Sequence, residues 1–443
     1  MRGNVDISAA YVPSKSAACR EADLSIGGVC VSQLAVAGEM LLPKVSFIVR
    51  NWNYGRYIGR TIQSIQAQDY PNFEAIIVDN ASTDDSRDVI EHHAKGDPRF
   101  RVIHSDANLG PLGGGILGLK HATGDFIAFI DSDDTLLSHY ASVHIQVHLA
   151  SPRNVAFTSS SAIETGPDGT TLNGRRAGAD ARREHVVEGL LAPEIVPRLR
   201  TVHDDAYATL SRHTRLLQPV AMEWPWSPGT SNMYRRFILD LLAPACDSED
   251  LPKLSADGHF NHLGHLLGGS ARIDIPLSTY RIHGGNFSAS VPSLSYLGSD
   301  SGPATRFHAI RMREALRVYV GNAADFSTRM GEKRYWEGLI ALIEMGGLGH
   351  RADLAEWKRG PFFEEQIQHL ARAFGERRAI RNLAALLPKK MLRESLHVLH
   401  GPNLPPRARL ELHLGALRHA RARIKRGIRK WRMKQETRRA HSS

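Results

Sequence analysis

The sequence predicts an α/β fold in which a doubly wound, mostly parallel sheet carries helices on both faces. Two observations support this prediction. Short apolar runs alternate with segments of helical spacing between residues 45 and 130, as in parallel sheets connected by helices. Acidic residues directly follow two of these runs, at the carboxyl ends of strands, where such sheets bind ligands.

The predicted elements follow one another as strand, helix, strand. A buried strand is expected at Val45–Val49, and a helix at Tyr57–Ala67, where Ile58, Ile62 and Ile65 share one face. Further strands are expected at 73–78, 100–104 and 125–130, and helices at 82–93 and 112–122. From about residue 305 to residue 399 the pattern becomes helical, with Gly and Pro breaks between segments.

Composition limits the class of protein. The chain has 443 residues, 42% of them hydrophobic and 23% charged, which excludes a disordered or fibrous protein. Three cysteines, Cys19, Cys30 and Cys246, make no disulfide framework and indicate a reducing compartment. We find no signal peptide pattern and no apolar run long enough to span a bilayer. The expected location is therefore the cytoplasm.

The net charge of +10 is concentrated at the end of the chain, where residues 403–443 hold 13 basic and two acidic residues. Apolar residues recur there at helical spacing from Leu410 to Trp431. A basic amphipathic helix of this kind binds anionic lipid surfaces, so a peripheral membrane contact is expected. A helix docked on the body and a nucleic-acid-binding arm are the alternatives; no nucleic-acid partner is expected, because the basic charge does not spread over a folded face.

Acidic residues mark the expected ligand site. Asp79 follows the second predicted strand, and Asp131, Asp133 and Asp134 follow the fourth. Carboxylates crowded at a strand end repel one another and lose hydration together. Oxygen ligands suit a divalent cation, Mg²⁺ or Mn²⁺, shared with substrate phosphates. The alternative is that residues 132–135 merely cap the next helix.

Three stretches in the same order resemble the family 2 inverting glycosyltransferases of the GT-A fold. They are PKVSFIVRNWNYGRYIGRTIQSIQAQDYPNFEAIIVDNASTDDS (43–86), NLGPLGGGILGLKHATGDFIAFIDSDD (108–134) and ADGHFNHLGHLLGGSARIDIPLSTYRIHGGNFS (256–288). The resemblance covers about residues 44 to 290. It implies a GT-A domain at 44–300. The residue patterns predict an extension at 1–43, a helical appendage at 301–402 and the basic tail at 403–443.

The resemblance also implies roles for individual residues. The nucleotide-sugar donor is expected to contact the residues Asn53, Asp79, Asp131, Ser132 and Arg281. Asp133 and His283 are expected at the metal, and Asp257 as the general base that activates an acceptor hydroxyl. The implied reaction moves a sugar, with inversion, to an acceptor in the synthesis of glycans or lipid-linked glycans.

Departures from the family pattern leave a second hypothesis open. The family usually has Pro where this chain has Arg50, an Arg-Asn pair where it has Gly115 and Ile116, and an acid where it has Ala256. Either Arg50 or another base compensates for the missing arginine, or donor binding is weaker. The alternative is a catalytically impaired protein that keeps the GT-A fold for binding or assembly.

Three other features have competing interpretations. Gly113–Gly118 fits a dinucleotide fingerprint, but it follows the third strand after a gap, so tight helix packing is favoured. His259, His262 and His265 share a helical face and are expected to be packed or exposed rather than metal ligands. Trp224 and Trp226 are predicted to stack on an acceptor sugar, with core packing as the alternative.

Overall fold

The computed structural model describes most of the chain from residue 42 onwards. The described ranges are 42–151, 153–175, 210–217, 228–243, 251–286, 307–348, 361–387 and 389–410, with shorter pieces at 25–26, 29–30, 186–187, 219, 224–226, 291–292 and 412–414. In the N-terminal extension, β1 (Ser25–Ile26) and β2 (Val29–Cys30) pair antiparallel as a separate two-stranded sheet.

The first half of the main body is a parallel α/β unit. Its elements in chain order are β3 (Val45–Asn51), α1 (Gly55–Gln66), β4 (Phe73–Asp79), α2 (Ser86–Ala94), β5 (Phe100–His104), α3 (Gly110–His121) and β6 (Phe126–Asp131). The strands lie in the order β5-β4-β3-β6, and each neighbouring pair is parallel. All seven residues of β3 are buried, because helices cover both faces of a parallel sheet.

The second half of the sheet mixes strand directions. Its elements are α4 (Tyr140–Ala150), β7 (Phe157–Thr165), β8 (Thr171–Asn173), β9 (Val186–Val187), β10 (Thr214–Leu217), β11 (Asn232–Arg235), α5 (Arg236–Leu242), α6 (Ala256–Gly268) and β12 (Ser270–Arg281). The order continues from β6 as β11-β7-β12-β10-β9, with β8 on β7. β11 is antiparallel to both β6 and β7, whereas β12 is parallel to β7.

The C-terminal helices pack on α6, which lies against β7 of this sheet. They are α7 (His308–Gly321), α8 (Ala323–Met330), α9 (Glu332–Leu348), α10 (Pro361–Phe374), α11 (Glu376–Leu386) and α12 (Lys389–His400). A single hydrophobic cluster contains Ile48 and Ile76 of the sheet together with Tyr335 and Leu383 of these helices. The predicted helical appendage therefore shares its core with the sheet.

Successive residues of β3 enter two different cores. Ile48 belongs to the cluster that includes the C-terminal helices, whereas Phe47 and Val49 belong to a second cluster with Ile58 and Ile62 of α1. This alternation is the period of two that a pleated strand imposes. The predicted fold class, a GT-A-like sheet with helices on both faces and a C-terminal helical region, is confirmed.

The predicted and observed elements differ most at α2, which begins at Ser86 and not at Ser82. The hydroxyl of Ser82 accepts hydrogen bonds from Asn51 Nδ2 (3.1 Å) and from the backbone N–H of Asn53 (3.0 Å). Asp84 Oδ2 accepts from the N–H of Gly55 (2.9 Å). These residues connect two neighbouring loops, so the helix begins after them.

The glycines of α3 allow close packing on the sheet, as the sequence predicted. A Cβ atom on Gly118 would lie 2.3 Å from Cγ2 of Ile48 and 3.2 Å from Cγ2 of Val78. At the start of the helix, Gly110 has a φ of +71°, and a Cβ there would lie 2.4 Å from Cα of Pro252. Both contacts hold α3 against the elements around it.

The described part of the tail is short. The helical stretch that begins at Pro406 exposes Leu410 and Leu414, and the predicted apolar stripe beyond residue 414 lies outside the described residues. In the parts of the chain that the structure describes, no helix combines the length and the apolar character needed to cross a membrane.

We expect Gly118→Ala to lower the free energy of unfolding by about 1–3 kcal/mol, because the added methyl group overlaps Ile48. Urea unfolding measures this change. The matched control is Gly321→Ala in α7, where a Cβ has nothing within 4 Å and where alanine has the higher helix propensity. Equal stability of the two variants would contradict the packing described here.

Candidate functional site

A cavity of about 540 Å³ lies at the carboxyl ends of β3 and β6. Arg50 and Asn51 from β3 and Asp131 from β6 contribute to its wall, as do Asp133 and Asp257. The last of these carboxylates is distant in sequence from the other two, yet all three face the same space. A volume of this size is typical of small-molecule sites.

Two residues in left-handed conformations shape the loops beside the cavity. Asn53, after β3, has a φ of 58°, and Ala81, after β4, has a φ of 62°. Asparagine tolerates this region, whereas alanine is strained there. Asn53 Oδ1 accepts a hydrogen bond from the backbone N–H of Thr83 (2.7 Å), so its side chain connects the two loops and does not line the cavity.

The acidic turn after β6 is held by partners from distant parts of the chain. Arg50 forms an ion pair with Asp131. Asp134 Oδ2 accepts from the hydroxyl of Thr230 (2.7 Å), and its Oδ1 accepts from the N–H of Arg281 (3.0 Å). The next helix, α4, begins only at Tyr140 and has His139 as its N-cap. The alternative prediction, that residues 132–135 merely cap a helix, is wrong.

Crowding changes the ionisation of these carboxyls. Desolvation raises the pKa of Asp131 above its ordinary value; Arg50 opposes this effect, and the charges of Asp133 and Asp257 add to it. Desolvation likewise raises the pKa of the buried Asp134, with further contributions from Asp133 and Asp131. Like charges in a poorly hydrated cleft favour protonation or a bound cation.

Helix α6 presents Asp257 at the cavity through its first turn. Ser255 is the N-cap, and its hydroxyl accepts from the N–H of Gly258 (3.1 Å). The partial positive charge of a helix N-terminus stabilises a carboxylate there. The turn at Gly229–Ser231 packs directly against the carboxylate of Asp257, because a Cβ on Gly229 would lie 3.2 Å from Cγ of Asp257.

The C-terminal helices also reach this part of the site. Cδ of Arg311, on α7, lies 3.3 Å from where a Cβ on Gly258 would stand, and its guanidinium lies 5.0 Å from the centre of the Trp224 ring. Burial lowers the pKa of Arg311, and the charge of Asp257 opposes that effect. The helical region therefore contributes a cation beside Asp257.

Asp79 does not line the cavity. Its side chain is fully buried, and Oδ2 accepts from Arg87 Nε (2.8 Å) and lies 3.4 Å from His104 Nδ1. Desolvation alone would raise the pKa of Asp79, but hydrogen bonds from Ser82, Arg87 and His104 hold it below its ordinary value. The neighbouring residue, Asn80, lines the cavity in its place.

Arg281 and His283 act on the acidic turn and do not face the cavity. Arg281 Nε donates to the carbonyl of Asp133 (2.7 Å), and its Nη1 donates to the carbonyls of Gly166 (3.3 Å) and Pro167 (3.2 Å). Because these bonds engage its buried guanidinium, Arg281 holds two loops together. In this arrangement it does not reach a donor in the cavity.

Both ring nitrogens of His283 have partners. Nδ1 lies 3.3 Å from the N–H of Gly285, which donates to it, and Nε2 lies 3.0 Å from Asp133 Oδ2. Since Nδ1 accepts, Nε2 carries the proton and donates to Asp133. The predicted role of His283 as a metal ligand is therefore not the one this geometry gives; the ring orients the carboxylate.

The tryptophan pair belongs to the core. Trp226 is fully buried, and its Nε1 donates to the hydroxyl of Ser270 (2.9 Å). Trp224 is half-buried and packs on His262, with ring centres 4.8 Å apart. Burial leaves the Trp226 ring no face for an acceptor, which corrects the predicted stacking role, and Trp224 does not line the cavity. His259, His262 and His265 are packed in the same region.

Several cavity residues were not predicted from the sequence. Trp52 is half exposed, at 50%, in the cavity wall. Asn80 Nδ2 donates to Asn108 Oδ1 (2.9 Å), and this pair lies in the wall at the start of α3. A polar residue directly after a strand was the available signal for Asn80, but it stood beside the more conspicuous Asp79.

The residues present fit a divalent cation shared with a ligand. Within the described part of the chain, no group of three or more His, Cys, Asp or Glu side chains converges on one metal position. Ser132 also lines the cavity, between Asp131 and Asp133. Among the described residues, Asp131 Oδ2 and Asp133 Oδ1 make no hydrogen bond. Magnesium is commonly held by one or two carboxylates together with substrate phosphates, which matches this pair.

Comparison with known proteins agrees with the geometry. Residues 46–216 match the family model described as glycosyl transferase family 2. Residues 46–216 of the chain belong to glycosyl transferase family 2. The region that matches carries β3, β4 and β6, and so contains Arg50, Asp131 and Asp133 of the cavity wall.

Two relatives show the extent of the similarity. An uncharacterized glycosyltransferase from Nostoc sp. is 30% identical over 243 residues, 55% of this chain and 66% of that protein. The GalNAc(5)-diNAcBac-PP-undecaprenol beta-1,3-glucosyltransferase of Campylobacter jejuni is 37% identical over 106 residues, 24% of this chain and 34% of that protein. The chain thus spans less than two thirds of these relatives.

Among solved structures, S. aureus TarS 1-349 in complex with UDP matches this chain with a TM-score of 0.43 and 16% identity. The match covers 84% of this chain and 89% of that one.

We expect Asp79→Asn to destabilise the protein in a pH-dependent way. The pKa of Asp79 is lowered in the folded state. The wild type therefore has a higher free energy of unfolding than the variant; this difference is fully present above the unfolded pKa of about 4 and is lost as the pH falls through the folded pKa. Urea unfolding at pH 7, 5, 4 and 3 measures this difference in the free energy of unfolding, with the exposed Asp106→Asn as the control. A difference that grows on acidification would contradict a lowered pKa of Asp79 in the folded state.

Proposed function

We propose that this protein is an inverting glycosyltransferase that moves a sugar from a nucleoside-diphosphate sugar to an acceptor hydroxyl. The observation that carries the proposal is the common cavity of Asp131, Asp133 and Asp257. It places a pair of carboxylates suited to a cation and a diphosphate beside a third carboxylate that is suited to take a proton.

The donor half of the cavity is assigned to the ends of β3 and β6. The exposed indole of Trp52 offers a flat apolar face to a nucleobase. Asp131 and Asp133 would hold a divalent cation, Mn²⁺ or Mg²⁺, which when bound neutralises charge on the departing diphosphate. His283 orients Asp133 through their 3.0 Å contact.

Asp257 is assigned as the general base. In the proposed step the acceptor oxygen forms a bond to the anomeric carbon, the bond from that carbon to the diphosphate oxygen breaks, and the hydroxyl proton moves to Asp257. The nucleoside diphosphate leaves with the bonding electron pair. Attack opposite the leaving group inverts the anomeric centre.

A retaining route through a covalent intermediate requires a free carboxylate as nucleophile. Among the described residues that line the cavity, the carboxylates are Asp131, Asp133 and Asp257. The first two are assigned to the cation and the third to proton removal, so none is left for that role, and this assignment favours inversion. For the acceptor we propose a glycan or a lipid-linked glycan, the class that the name of the Campylobacter relative indicates.

We expect Asp257→Asn to lower the rate of sugar transfer by about 10²- to 10⁴-fold while nucleotide binding is kept, because only proton removal is lost. The assay supplies purified protein with Mn²⁺, a panel of nucleotide sugars and glycan acceptors, and measures the nucleoside diphosphate released. The control is the exposed Asp240→Asn. If the wild type binds donors but transfers to no acceptor, the chain is a binding protein with this fold.

We expect Mn²⁺ and a nucleoside diphosphate to raise the melting temperature together by more than the sum of their separate effects, because each completes the site of the other. Asp133→Ala should remove this gain while leaving the melting temperature without ligands little changed. The exposed Asp106→Ala is the control. A full gain in Asp133→Ala would show that the cation is held elsewhere or not at all.

A further inference from the structure

Arg50 is a buried cation in the wall of the cavity. It is the penultimate residue of β3, where its neighbours Val49 and Ile48 are apolar and fully buried, and its own side chain is only 6% exposed. Removing a guanidinium from water is costly unless partners compensate it. An arginine in this place therefore requires a specific stabilising partner.

The protein supplies only part of that compensation. Arg50 and Asp131 lie side by side in the parallel register of β3 and β6 and form an ion pair. The guanidinium lies 5.8 Å from the centre of the Phe129 ring. Its Nε is buried and has no hydrogen-bond partner among the described residues. Arginine has five N–H donors, and this one donates only to Asp131 within the described chain.

Gly115 provides the space for this side chain. A Cβ on Gly115 would lie 3.5 Å from Cδ of Arg50 and 3.2 Å from Cε1 of Phe129. A larger residue at this position of α3 would occupy the volume that the arginine stem now fills. Arg50 and Gly115 thus form one structural unit, in which the cation comes from the strand and the helix leaves room for it.

The charge balance of the cavity indicates what the free donors bind. Asp131, Asp133 and Asp257 repel an anionic ligand. Among the described residues that line the cavity, Arg50 is the single lysine or arginine. A planar guanidinium recognises phosphate oxygens with two or more parallel hydrogen bonds.

We propose that Arg50 binds a phosphate group of the donor and at the same time orients Asp131 beside it. This inference rests on the proposed function and names the residue that makes the cavity receptive to a phosphate. Arg50 is thereby a substrate-binding residue, and Gly115 is the residue that positions it.

Isothermal titration calorimetry separates phosphate binding from nucleoside binding. UDP, GDP, CDP, ADP and dTDP are compared with Mn²⁺ present, and the tightest binder is then tested beside its nucleoside. In Arg50→Gln we expect the diphosphate to bind about 10- to 100-fold more weakly, with nucleoside affinity unchanged. The diphosphate affinity of Arg50→Lys should lie between those of the wild type and Arg50→Gln, since lysine keeps the charge but lacks the parallel N–H donors of a planar guanidinium. Arg101→Gln, an exposed arginine of β5, is the matched control.

A relocation variant tests whether the charge itself matters. In Arg50→Gln/Gly115→Arg a guanidinium returns to the same space from the helix, and part of the lost diphosphate affinity should be regained. If Arg50→Gln does not fold, Gly115→Leu serves instead, because it displaces the stem and leaves the charge in the protein. A folded Gly115→Leu should then lose diphosphate affinity and keep nucleoside affinity.

Two results would overturn the inference. One is wild-type diphosphate affinity in Arg50→Gln or, if that variant fails to fold, in Gly115→Leu. The other is an equal loss of nucleoside and diphosphate affinity in the folded variant, which would indicate a general distortion of the site. Failure of the wild type to bind any nucleoside diphosphate would instead reject the proposed function, and this inference with it.

Discussion

The arrangement of the site depends on one electrostatic constraint, which is that several carboxylates share a poorly hydrated cleft. Asp131 ends β6, Asp133 and Asp134 follow it, and Asp257 joins Asp131 and Asp133 from the start of α6. Such a group is unfavourable unless cations or hydrogen-bond donors surround it. The structure supplies Arg50 to Asp131, His283 to Asp133, and Thr230 with a backbone amide to Asp134. The partners come from three distant parts of the chain, and each fixes one carboxyl in place.

The same constraint explains why the second half of the chain is needed. β12 passes beside β7 and brings both Arg281 and His283 to the acidic turn, and the turn at Gly229–Ser231 brings Thr230. The C-terminal helices support α6, since Arg311 of α7 lies next to the first turn of α6. The site is thus assembled from the parallel unit, the mixed part of the sheet and the helical region together. The shared hydrophobic cluster makes these parts one body.

Local patterns were enough to predict much of the fold. The apolar runs at β3, β4 and β6 are long and continuous, and the spacing of Ile58, Ile62 and Ile65 matches the buried face of α1. The place of the acidic turn followed from its position directly after a strand. By contrast, the antiparallel course of β11 has no local signal, because a strand reads the same in either direction. The start of α2 was predicted four residues early because Ser82 bonds to Asn51 and Asn53, which are remote in sequence.

The sequence by itself therefore determined the class of fold, the edge of the sheet at which the site lies and the presence of Asp131 and Asp133 there, since hydrophobic periodicity and strand ends are properties of neighbouring residues. Asp257 was expected at the site from the resemblance to the family. Only the tertiary structure decided which side chains face the cavity. It turned Asp79 toward Arg87 and His104, buried Trp226 in the core, and placed Arg50 in the space beside Gly115. These outcomes depend on the direction of a side chain and on partners far along the chain, and local sequence patterns carry no information about either.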